Sequence, residues 1–152
     1  MAKTDYRKGD LAGLGMFVAI PYEVMDSSGY QNLSTTAIKL LLDICRQLSG
    51  KNNGKLSPTW ELMKHRGWKS KATLQKAKDE LRASRLITIT RAGTTDKGNC
   101  EFWAVNWLKL DWDKCMDIEP AGHDYKGYLN LKDVKIDPIP ERRKPPVFKI
   151  VA

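Results

Sequence analysis

Hydrophobic positions along this chain follow two periods. In LSTTAIKLLLDICRQLSG, Ile38, Leu41, Leu42, Cys45 and Leu48 recur at three- and four-residue spacing, which predicts a helix with a buried stripe. Leu40 and Ile44 are apolar as well, so this helix is expected to be covered on more than one side. Ser34 is its expected N-cap and Gly50 its C-cap glycine. SPTWELMKHRG predicts a second helix of about two turns, with Ser57 as cap, Pro58 at the first helical position, Trp60 and Met63 on one face and Gly67 as the stop. WKSKATLQKAKDELRASRL predicts a third. Ser70 caps it, Leu74, Ala77 and Leu81 form the inward stripe, and Leu86 closes the end.

The period then drops to two. In LITIT, Ile87 and Ile89 alternate with Thr88 and Thr90. In FWAVNW, Trp103, Val105 and Trp107 alternate on a returning strand. The loop between them, RAGTTDKGN, is rich in turn formers, so the pair reads as a hairpin. Three weaker signals flank this middle. Phe17 to Ile20 is a short strand-like run, and Pro21 then opens a short helix. The turn Asn53-Gly54 leads into a short strand, Lys55 to Ser57. Past Leu110 the patterning fades among five prolines. One strand fits GYLNLKDVKID, and the end, PIPERRKPPVFKIVA, reads as extended. The division expected is a loose arm over 1–16, a domain over 17–110 and a C-terminal extension over 111–152, Pro-rich at its end.

Helix, short strand, short helix, three-residue turn, longer helix and hairpin is the order of a winged helix-turn-helix. The chain resembles such domains from phage, plasmid and other mobile-element proteins, of replication-initiator and regulator types. The segments that carry the likeness are LSTTAIKLLLDI, GKNNGKLS, WELMKHRGWKSKATLQKAKDELRASRLITITRAG and FWAVNWL, and it is sharpest over 34–91. The resemblance implies an α+β fold, mainly α, that binds DNA. The chain departs from the pattern at Arg85, where these domains often carry glycine, and in its last 42 residues, which the domain does not explain.

Charge adds a direction to this picture. The net charge is +8, and it is unevenly spread. Residues 1–33 carry 3 basic and 4 acidic groups, residues 34–110 carry 15 and 6, and residues 51–85 alone carry 10 and 3. A concentrated basic stretch points to a polyanionic partner. On the third helix, the face opposite the stripe holds Ala72, Lys76, Asp79 and Ala83, with Gln75 beside it and Lys71 and Arg82 flanking. Near the helix start this leaves Lys71, Ala72, Gln75 and Lys76 to read bases in a major groove. There lysine meets guanine, glutamine meets adenine and a methyl group meets thymine. Lys69, Ser70 and Thr73 at the turn, Arg82 on the helix, Arg91 and Lys97 in the hairpin loop, and Lys51 and Lys55 beside the helices are the candidate phosphate contacts. Asn52 and Asn53 are read as turn residues rather than contacts.

Other chemistry is thin. Three cysteines without pattern and the absence of any Cys/His cluster favour reduced thiols in a cytosol, with no zinc site, disulfide framework or cofactor, and the resemblance to phage and plasmid proteins implies a bacterial cytoplasm. No apolar run reaches the ~20 residues of a membrane span, and no signal peptide is read. The reading is therefore a sequence-specific double-stranded DNA-binding protein, a transcription regulator or replication-origin binder. It is not read as an enzyme, and homodimerisation is expected of a two-fold DNA reader. Two rivals stand beside it: an adaptor that docks a protein partner through residues 111–152, and a DNA-nicking enzyme using Tyr125 or Tyr128.

Overall fold

A computed structural model describes residues 8–94 and 98–130. In chain order these form helices α1 (Lys8–Leu11), α2 (Tyr22–Met25), α3 (Ser28–Gln31), α4 (Thr35–Cys45), α5 (Trp60–Met63) and α6 (Lys71–Ala83), then strands β1 (Ile87–Arg91) and β2 (Phe102–Val105). Short 3-10 turns lie at Lys64–Arg66, Pro120–Gly122 and Gly127–Asn130. The class is mixed helix and strand, as the two hydrophobic periods predict.

The two long helices form where the sequence caps them. The Ser34 hydroxyl accepts the Ala37 N–H at 3.2 Å, and the Ser70 hydroxyl accepts the Thr73 N–H at 3.3 Å. Each satisfies one of the free donors of a first turn. Leu40, Leu41 and Ile44 of α4 meet Leu74, Ala77 and Leu81 of α6 in one core with Leu56, Met63, Leu86, Trp103 and Val105. A second link joins the two helices at the surface. The Glu80 carboxylate of α6 accepts both the backbone N–H and the hydroxyl of Ser34, each at 2.9 Å.

Helix α4 departs from expectation in two respects. It stops at Cys45 rather than near Gly50, because the N–H groups of Gln47 and Leu48 close back three residues onto the carbonyls of Ile44 and Cys45, tightening the end. Leu42 is exposed, while Asp43 is buried. Asp43 accepts from Lys39 Nζ at 2.7 Å, Trp68 Nε1 at 2.8 Å and Arg66 Nε at 3.3 Å. It thereby fastens the turn before α6 to α4.

The second helix is shorter than predicted. Ser57 does not cap it, and Pro58 lies outside it. Both backbone groups of Ser57 are held at 2.8 Å by the side-chain amide of Gln47. This keeps Ser57 beside the bridge that Leu56 makes with Trp103. The helix begins at Trp60 with Thr59 as N-cap and tightens into the 3-10 turn Lys64–Arg66. Gly67 ends it at φ 84, a conformation that glycine adopts without strain.

β1 and β2 pair antiparallel, Ile87 opposite Val105 and Ile89 opposite Trp103, with a bulge between Ile89 and Arg91. The predicted strand at 55–57 is reduced to the single Leu56–Trp103 bridge. The run Phe17–Ile20 is not a strand: among the described residues no hydrogen bond gives its backbone a partner. Gly127–Asn130 is a 3-10 turn rather than the start of a strand. The remainder of that predicted strand, and the Pro-rich end, lie outside the described residues.

Residues 111–130 fold back over the domain. The N–H groups of Asp111, Asp117 and Lys126 donate to the carbonyls of Asn53, Thr90 and Asn106. Tyr128 is buried, and its hydroxyl donates to Glu23 at 3.1 Å. Asn53 anchors the underside. Its amide donates to the carbonyls of Val105, Leu108 and Lys109, and its oxygen accepts the Val105 N–H at 2.8 Å. Gly54 beside it has φ 120, and a Cβ there would stand 2.5 Å from Met116 Cε and 2.8 Å from Leu110 Cδ1.

Candidate nucleic-acid interface

Helix α6 divides cleanly into two faces. Leu74, Ala77 and Leu81 are buried, while Lys71, Ala72, Thr73, Gln75, Lys76 and Asp79 are exposed. The four predicted base readers therefore sit together near the capped end. Lys69 is exposed just ahead of them, and the Ser70 hydroxyl accepts the cap bond while its own O–H remains a donor. Lys71 Nζ lies 6.0 Å from the Trp60 ring centre, at the outer limit of a cation–π contact. Lys76 and Lys69 carry no ion pair among the described residues.

The Gln75 side chain is not loose. Its amide donates to Asp79 Oδ1 at 3.0 Å. Asp79 stands 3.7 Å from Arg82 Nη1, and Arg82 also binds Glu101. Glu101 further accepts from Trp103 Nε1 and pairs with Lys78, each at 2.8 Å. A chain of polar contacts thus runs from the loop end of the hairpin to the outer face of α6. Burial alone would raise the Glu101 carboxyl, but hydrogen bonds from Lys78, Trp103 and Arg82 outweigh it and hold the group below the ordinary range. Asp43 shows the same balance, with burial opposed by Lys39 and Trp68.

The structure brings fewer predicted phosphate contacts together than base readers. Lys51 is exposed and unpaired among the described residues. Lys55 pairs with Asp113 at 3.1 Å. Arg82 is engaged by Glu101. Arg91 lies 3.8 Å over the Phe102 ring and donates to the Cys100 carbonyl at 3.0 Å. Both arginines brace the hairpin. Lys97 lies outside the described residues. Asn52 and Asn53 both bind backbone, Asn52 through Ser49 and Gln47, in keeping with turn roles.

Sequence reasoning missed Asp43, Glu101 and Arg85. Arg85 adopts φ 58, and its guanidinium holds Asp124 through two bonds of 3.0 and 2.9 Å. The one available signal is that the domains this chain resembles often carry glycine there, a residue suited to left-handed backbone. Of the two candidate nucleophiles, Tyr125 is exposed and Tyr128 is buried. Burial, with Glu23 beside it, pushes the Tyr128 phenol up to about 12, opposite to the activation a nucleophile needs. No group of three His, Cys, Asp or Glu side chains is placed to hold a metal among the described residues, and none of their helices is long and apolar enough to cross a membrane. No protein-family model, curated protein or solved structure matches this chain.

Proposed function

We propose that this chain is a winged helix-turn-helix protein that binds double-stranded DNA with sequence preference. It would act as a transcription regulator or replication-origin binder of a phage or other mobile element, in a bacterial cytoplasm. One observation carries the reading. Lys71, Ala72, Gln75 and Lys76 are exposed together at the capped start of α6, opposite a stripe fully committed to the core. A helix presented in this way fits a B-DNA major groove, with its N-terminal residues at base edges. The two-strand hairpin after α6 takes the place of the wing.

Selection of bound fragments from random DNA tests this. An enriched motif is expected, with affinity falling steeply as salt rises. The Lys71/Gln75/Lys76 triple alanine variant should lose the motif. Lys51→Ala should weaken all sequences alike and flatten the log–log salt slope by about 1. A triple variant that binds the same motif as tightly as the parent sinks the assignment of α6.

A protein adaptor is the rival reading. Trp112, Tyr125 and Leu129, exposed in the segment that follows the hairpin, favour it. Salt-insensitive capture of a protein partner, with no shift of any DNA, would support it.

A further inference from the structure

Ahead of Ile20, which packs against the core, the apolar residues Met16 to Ala19 are exposed among the described residues. Met16 is 85% and Phe17 66% exposed. With Val18 and Ala19 they form one wall of a groove of about 510 Å³, whose other wall holds Cys45, Leu48 and Leu108. Among the described residues, Arg46 is the single charged one lining it. Among the described residues, the backbone of 15–20 makes no hydrogen bond. Large apolar side chains beside unpaired N–H and C=O groups make a template for strand addition.

We propose that residues 16–19 of two copies of this chain pair antiparallel about a two-fold axis, so that the apolar walls of the two grooves join across the seam. Three features select a second copy as the occupant. Residues 11–20 carry no charge and no proline, so the segment lacks the devices that keep an edge from pairing with its like. Residues 1–33 are nearly neutral, with 3 basic and 4 acidic groups, whereas residues 34–110 carry 15 and 6. Two copies therefore meet at this arm without the repulsion that basic surfaces would impose, and a strongly charged partner finds almost nothing to recognise. Finally, antiparallel self-pairing along one edge is isologous, so each copy supplies the same residues to the seam. The inference stands apart from DNA binding. If both hold, the dimer presents two α6 helices to a site with two halves.

Light scattering on the full chain at micromolar concentration tests it. The parent should show the dimer mass. Phe17→Asp and Met16→Lys should each halve that mass while the circular dichroism spectrum stays that of the folded parent. A monomeric parent overturns the proposal, as does a dimer that survives both substitutions. If Phe17→Asp loses the folded spectrum, Met16→Lys decides, since that side chain is the most exposed of the run. Loss of DNA binding with the dimer intact would bear on α6 and not on this pairing.

Discussion

Arg85 sits in left-handed backbone at φ 58, where a side chain with a Cβ is strained. Its guanidinium pair with Asp124 is a surface contact and adds little. Replacement by glycine and by alanine separates the two effects, because both remove the pair and only glycine relieves the backbone. We expect Arg85→Gly to melt about 2–4 °C above Arg85→Ala; equal melting would contradict the left-handed conformation. Asn53 presents the opposite case. Asn53→Ala strips partners from three carbonyls and one N–H at a buried site, and we expect a loss of about 3–5 kcal/mol in urea unfolding. A loss below ~1 kcal/mol would mean that water replaces these bonds freely. Neither role could be read from sequence neighbours. The caps Ser34 and Ser70 and the stripe Leu74, Ala77, Leu81 were legible because their partners lie within a turn or two. Asn53 answers Val105 across 52 residues and Arg85 answers Asp124 across 39.

At the scale of elements, the turn before α6 and the loop end of the hairpin are each fastened by a carboxylate. Asp43 ties Arg66 and Trp68 to α4, and Glu101, just ahead of β2, ties the hairpin to Lys78 and Arg82 of α6. Both carboxyls lie lower in the folded protein than in the unfolded chain. Their contribution is therefore complete above the unfolded value near pH 4 and is lost as pH falls through the folded values. The urea midpoint should drop steeply below about pH 4 in the parent and less steeply in Asp43→Asn and Glu101→Gln. A parallel acid drop in parent and variants would count against this account. The length of the elements was less legible than their existence. The second helix is cut short by Gln47, whose grip on Ser57 no local pattern announces. The Phe17–Ile20 run has the composition of a strand but lacks the partner that a strand requires.

Across the whole molecule, residues 111–130 complete the core that the helices and hairpin begin. Tyr128 fills a buried position next to Glu23, and Met116 lies over Gly54. A chain ended after Leu110 should melt well below one ended after Asn130, by about 10 °C or more if several kcal/mol of apolar burial are lost. Equal melting of the two would show that this stretch adds no stability. The sequence pattern placed a boundary at Leu110 because alternation fades there. The contacts that hold the following stretch are scattered backbone bonds to Asn53, Thr90 and Asn106 and isolated side-chain pairs such as Tyr128 with Glu23 and Asp124 with Arg85, which leave no period to detect.

Asn53 also sets an order of events during synthesis. The peptide groups it binds belong to Val105, Leu108 and Lys109. While the first half of the chain leaves the ribosome, its most demanding buried amide has nothing to bind. The contacts between α4 and α6 need no residue beyond Ala83, but they close over an unfinished floor. We expect the domain to commit late, once the returning strand has emerged. A stall before residue 105 would hold the nascent chain as loosely joined helices, open to proteases and chaperones.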